Sequence, residues 1–224
     1  MNKFLCRLLL LCSLLPAGRA FGQRKLSLSA TIAPVSSHTN YDYMVLYPNS
    51  DGQVVEPILL NGKISVYGYL AGPTLDYTYA SGWSVSTGVW YQQLTRRQAR
   101  SVLAGPGTTT LHNRTIRIPL LLNYRVSGQR LSPYFSLGTF LDFPLAARVI
   151  VTRDGQSTQK LRLDAAGGPV FHVLAGVGGQ YQFSDRCTLT VQPVAAYNLG
   201  RFGGSYSHNA SYELSLLTKL AYSF

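Results

Sequence analysis

From residue 25 onward the chain alternates. Apolar or aromatic side chains hold one parity, and small or polar ones hold the other, in eight stretches: 25–33, 64–79, 83–94, 114–126, 131–143, 169–183, 187–199 and 212–224. The fourth sets Ile116, Ile118, Leu120, Leu122, Tyr124 and Val126 against Thr115, Arg117, Pro119, Leu121, Asn123 and Arg125. The last sets Tyr212, Leu214, Leu216, Thr218, Leu220, Tyr222 and Phe224 against Glu213, Ser215, Leu217, Lys219, Ala221 and Ser223. Alternate side chains of a strand point to opposite faces, so the pattern predicts eight amphipathic strands.

The connections alternate too. Strands two and three, four and five, and six and seven join through the short "ASG", "SGQR" and "SDR". The others are long, over 34–63, 95–113, 144–168 and 200–211. Tight turns at one end and long loops at the other are the layout of an outer-membrane barrel. Strand length agrees, because most segments run well past the ~5–6 residues of soluble strands. On the greasy parity, aromatics collect at both ends. Tyr77, Trp83, Tyr124, Phe135, Tyr181, Phe183, Tyr222 and Phe224 lie near the turns, and Tyr67, Tyr91, Phe143, Phe171, Tyr197 and Tyr212 near the loops. Two aromatic girdles around an aliphatic band fit a sheet wrapped in lipid; a soluble sandwich is the competing reading. The expected fold is all-β: an eight-stranded antiparallel up-and-down transmembrane β-barrel with four long outer loops and three short periplasmic turns. A strand in hydrocarbon cannot leave its N–H and C=O groups unpaired, so the last strand must close on the first.

Composition agrees. Only 13% of residues are charged, too few for a soluble surface of this size, while 15 tyrosines and 21 glycines are abundant. Residues 1–20 read as a cleaved signal peptide: a basic start with Lys3 and Arg7, a short apolar run, then small residues before position 21. Residues 21–224 form the barrel domain. Cleavage would remove three basic residues and no acid, taking the net charge from +11 to +8. It would also leave Cys187 as the one thiol, and so no disulfide framework. No later stretch is apolar for long enough to make a spanning helix.

The stretch "IRIPLLLNYRV", its tight turn and "PYFSLGTFLDF" resemble the core of the PorT-like outer-membrane β-barrel family of Bacteroidetes-type bacteria. "VLAGVGGQYQF" and the closing "LSLLTKLAYSF" are similar to that family as well. The resemblance spans the mature chain. It implies an eight-stranded barrel in the outer membrane of a Gram-negative bacterium, without a cofactor. It also implies that terminal aromatics such as Tyr222 and Phe224 are read by the barrel-assembly machinery. Some members resemble secretion-system components.

An eight-stranded barrel is just wide enough for side chains to fill it. The inward parity carries Ser27, Ser29, Arg117, Asn123, Arg125, Asp142, Gln180, Gln182, Gln192, Asn198, Glu213 and Lys219, which predicts a polar plug. Arg117 and Asp142 lie at similar distances from their shared turn and are expected to meet as an internal ion pair, either a gate or simple charge satisfaction. His38, His112 and His208 fall in outer loops and His172 points inward, but no motif joins them to a nucleophile or gives metal-ligand spacing. No catalytic or metal site is therefore expected. Basic charge gathers around the second loop as Arg96, Arg97, Arg100 and Arg114, a candidate contact for acidic lipid or surface polysaccharide. Nucleic acid is not an expected partner. The expected role is structural or loop-mediated binding in the lipid bilayer. A narrow pore or transport- and secretion-associated component is the alternative, and a rim enzyme the third reading.

Overall fold

The computed structural model of the protein describes residues 26–48, 55–99, 107–153, 158–164, 168–201 and 210–224. The signal segment 1–20 lies outside them, as do Arg100 and His208. Ten strand elements follow in chain order: β1 (Leu26–Pro48), β2 (Val55–Ala80), β3 (Trp83–Gly88), β4 (Trp90–Ala99), β5 (Gly107–Arg125), β6 (Leu131–Arg153), β7 (Gln159–Leu163), β8 (Val170–Gln182), β9 (Cys187–Arg201) and β10 (Ala210–Ser223).

These elements make an eight-membered ring. Each strand pairs antiparallel with its neighbour, and β10 pairs with β1 to close it. β3 and β4 act as one strand, because both pair with β2 and with β5. Their ladder breaks at Val89, opposite Pro73, which has no N–H to give; Val89 N instead donates to Pro73 O at 3.2 Å. β7 is an extra strand on the outer half of β6. A walk along paired residues from Ser27 passes Asp76, Ser86, Leu121, Gly138, Leu174, Ala196 and Glu213, and returns to β1 at Ser37. The shear is thus ten residues, Ser27 to Ser37. Eight strands sheared this far tilt by about 40° and leave room inside for side chains alone.

The two faces of the wall differ as the alternation predicts. Leu70, Trp90, Leu121, Phe140, Leu174 and Leu217 are buried inside. The outward parity is bare: Leu137 is 60% exposed, Ile32 58% and Leu220 54%. A water-soluble domain does not display a continuous belt of this kind. Hydrocarbon removes the cost, since each ~100 Å² of apolar surface kept from water is worth about 2.5 kcal/mol. The aromatics of both girdles face outward with the belt. No described helix is long and apolar enough to cross a membrane.

The outer connections differ from the expected loops. β1 runs for 23 residues and pairs with β2 out to Pro48↔Val55. β4 and β5 continue pairing to Ala99↔Thr108, and β5 and β6 to Gly107↔Arg153. The greasy parity ends where the lipid ends, but hydrogen-bonded pairing continues into water, where neither face need be apolar. Most of the first three outer connections is therefore paired strand.

Narrow curvature demands close backbone approach on the inner face. At Gly138 of β6 a Cβ would sit 2.1 Å from the carbonyl oxygen of Leu120 on β5. Only glycine allows the two strands to bend together there.

Candidate functional site: the filled lumen and the outer rim

Arg117 and Asp142 are directly opposite each other on β5 and β6. Both face inward, so their side chains meet without a bend in either strand. Arg117 Nε donates to Asp142 Oδ1 and Nη2 to Oδ2, each at 2.7 Å, in a bidentate pair. The guanidinium, 1% exposed, also reaches across the lumen to Glu213 on β10. Nη2 lies 3.1 Å from Glu213 Oε2, and Nη1 donates to Oε1. Gln92 Nε2 donates to the same Glu213 Oε2 at 2.8 Å. The ring of Phe140 lies 4.4 Å beneath the guanidinium carbon, a cation–π contact that seals the cluster from below. His172 lies beside Asp142, its Nδ1 3.5 Å from Oδ2, too far for a good hydrogen bond. That Nδ1 is buried and has no hydrogen-bond partner among the described residues.

A second polar layer lies nearer the tight turns. Lys219 Nζ donates to Asp76 Oδ1 at 2.7 Å. Ser29 Oγ donates to Asp76 Oδ2 at 3.0 Å, and the Ser86 hydroxyl donates to Oδ1. From Ser86 a chain of side-chain hydrogen bonds runs through Asn123 and Ser136 to Gln192. Trp90 ties the layers together, its Nε1 donating to Thr74 Oγ1 at 2.9 Å while its ring packs on Phe140. This layer holds a cavity of about 20 Å³ bounded by Thr31, Asn123, Tyr134, Gln192 and Lys219, room for about one water.

The outer rim has its own geometry. The strand continuation places Arg96 and Arg97 on opposite faces of β4, Arg97 outward with Arg114 of β5. Arg114 Nη2 donates to the Ala146 carbonyl at 2.6 Å. On the far side of the rim, His38 faces outward between Ser36 and Ser65, whose hydroxyls lie 2.9 Å from Nε2 and 2.8 Å from Nδ1. It stacks on Tyr212 at 5.1 Å. Strand alternation gives the signal for this contact: "SSH" puts Ser36 and His38 on one face. The third member is a hydroxyl rather than a carboxylate. The backbone around His38 is paired on both sides, with β10 and with β2. Among the described residues no group of three His, Cys, Asp or Glu side chains could hold a metal ion.

At the turn end, the Phe224 N–H donates to the Leu26 carbonyl at 3.1 Å, extending the seam between the first and last strands. Tyr222 and Phe224 pack edge-on at 5.5 Å, facing outward.

No family model and no curated protein matches the chain. Among solved structures it is similar to Neisserial surface protein A, at 13% identity over 89% of this chain and 97% of that one, with a TM-score of 0.45. It is similar to the outer membrane protein OprG from Pseudomonas aeruginosa at 14% identity, covering 89% and 95%, with a TM-score of 0.44. It is similar to Ail of Yersinia pestis, solved in complex with the heparin analogue sucrose octasulfate, at 12% identity, covering 88% and 99%, with a TM-score of 0.41.

Proposed function

We propose that this chain is an exported outer-membrane barrel that conducts nothing and works by presenting its rim and outer hairpins for binding. The observation that carries this reading is the occupied lumen. Arg117, Trp90, Phe140, Leu70 and Asn123 are fully buried side chains of the interior, and Arg117 reaches across it to Glu213. An ion or solute would have to break both polar layers and displace the indole between them. The external parity supports the bilayer location, since apolar residues and two girdles surround the wall. No cofactor is needed, and the role is not catalytic. The likeness of β5 and β6 to PorT-like barrels is compatible with docking to other envelope proteins, and the terminal Phe224 with delivery by the barrel-assembly machinery.

The test is conductance. Full-length mature protein, folded in detergent and shown to migrate differently on a gel before and after boiling, is added to a planar bilayer. No steady single-channel steps are expected at moderate voltage. Steps of uniform size would overturn the proposal in favour of the pore.

A further inference from the structure

The outward face of β4–β7, immediately beyond the lipid belt, is strongly basic. On β5 the outward sequence passes from Leu120, Ile118 and Ile116 to Arg114 and His112 without an acid. A register shift in the β5–β6 ladder lies between the pairs His112↔Arg148 and Arg114↔Leu145. It reverses the parity of β6. Below the shift the even positions of β6 face the lumen, as Asp142 does; beyond it Arg148 faces out and is exposed. β7 then sets Arg162 directly opposite Arg148, and Lys160 one outward position further on. Arg97 completes the arc from β4.

Two features point to an anion on this face. Like charges directly opposite in a ladder destabilise it, yet Arg148 and Arg162 are cross-strand partners with His112 next in the same row. Among the described residues, Arg97, Arg148, Lys160 and Arg162 form no ion pair. Asp164, just beyond β7, is the one described acid on that side outside the lumen. The opposite side of the rim differs: β1, β2, β9 and β10 present Tyr67, Tyr69, Tyr197 and Tyr212 at the corresponding outer end, with Lys63 and Arg201 as single bases at the ends of β2 and β9 rather than a cross-strand pair.

We infer that the β4–β7 face is a binding site for the phosphate groups of an outer-leaflet lipid, with Arg148 and Arg162 as its centre and Arg97, Arg114 and Lys160 around them. The site is continuous with the hydrocarbon-facing belt below it, so one ligand can place acyl chains on Ile116, Ile118 and Leu145 and its phosphates on the arginines. Guanidinium groups suit this task because they bind phosphate bidentately. A soluble polyanion would gain the charge but not the belt. This inference rests on the bilayer reading above and names the partner of that rim.

The test uses the folded full-length mature protein in neutral detergent, titrated with diphosphorylated lipid A and with the same lipid after removal of both phosphates. Bound lipid is counted by native mass spectrometry. The phosphorylated lipid should bind at least tenfold more tightly than the dephosphorylated form. The triple variant Arg148→Gln, Lys160→Gln, Arg162→Gln should lose at least tenfold in affinity. Tyr67→Ala with Tyr212→Ala should change it less than threefold. Should the triple variant fail to fold, as judged by heat-modifiable migration, Arg148→Lys with Arg162→Lys keeps the charge and should still lose affinity through the missing bidentate geometry. Equal binding of the two lipids, or unchanged affinity in the folded glutamine or lysine variant, overturns the site. So does competition by inorganic phosphate or heparin as effective as by the lipid, which would make the partner a soluble anion. None of these outcomes bears on conductance, so the site and the closed lumen stand or fall separately.

Discussion

The two polar layers of the lumen solve the same problem with different charge balance. Near the tight turns, Lys219 and Asp76 form one pair, and the remaining lone pairs of the carboxylate are taken by Ser29 and Ser86. Near the outer hairpins, one guanidinium faces two carboxylates, Asp142 and Glu213. The lower layer is neutral and finished with hydroxyls. The upper layer carries an excess acid, and the unpartnered Nδ1 of His172 lies beside it. Burying a charge is tolerable only with a partner, so the two layers should respond very differently to loss of their cation.

Removing Arg117 should cost most. Arg117→Met fills similar volume but leaves two buried carboxylates facing each other. Losing one partner of a buried pair costs about 3–5 kcal/mol, and here two acids are stranded, so a loss of about 5 kcal/mol is expected. Urea unfolding in lipid vesicles, followed by tryptophan fluorescence and gel migration, measures it. A loss of about 1 kcal/mol would show that the upper layer is hydrated and that the lumen is not plugged there.

Lys219→Met tests the other layer and should cost about 3 kcal/mol, the low end of the same range. Asp76 would keep two hydroxyl donors, and only one acid is stranded. If this variant proved the more damaging of the two, charge excess would not be what separates the layers.

How much of this could be read from the chain depends on the range of the contact. Arg117 and Asp142 share a tight turn, so counting residues from that turn brings them together. Glu213 was legible as an inward residue but not as a partner, because its approach to Arg117 depends on the shear of ten, and alternation carries no information on shear. The belt and girdles were legible because lipid acts on every second residue of every strand. The outer hairpins were not, since beyond the lipid no single face must be apolar and the sequence reads as loop. Arg148 is the sharpest instance. Strict alternation from Asp142 would turn it into the lumen, and only the register shift before it brings it out beside Arg162.

The smallest effect is expected where the upper layer is brought to the balance of the lower. In Glu213→Gln the excess charge disappears, while Arg117 keeps both contacts to Asp142. The new amide oxygen can still accept from Arg117. Its NH2 group would meet both Gln92 Nε2 and Arg117 Nη2; Gln92 can rotate to present its own oxygen, while the Nη2 contact is lost. The gain from removing an uncompensated acid and the loss of a charge-assisted bond oppose each other, and the net change should stay within about 1 kcal/mol. The same substitution should restore part of what Arg117→Met removes, because only one carboxylate is then left alone. A double-mutant cycle in vesicles reads this as a favourable coupling between positions 117 and 213. Strict additivity would mean that Glu213 gains nothing from Arg117 beyond what water supplies. The upper layer would then be the simple two-residue pair that the sequence alone suggests.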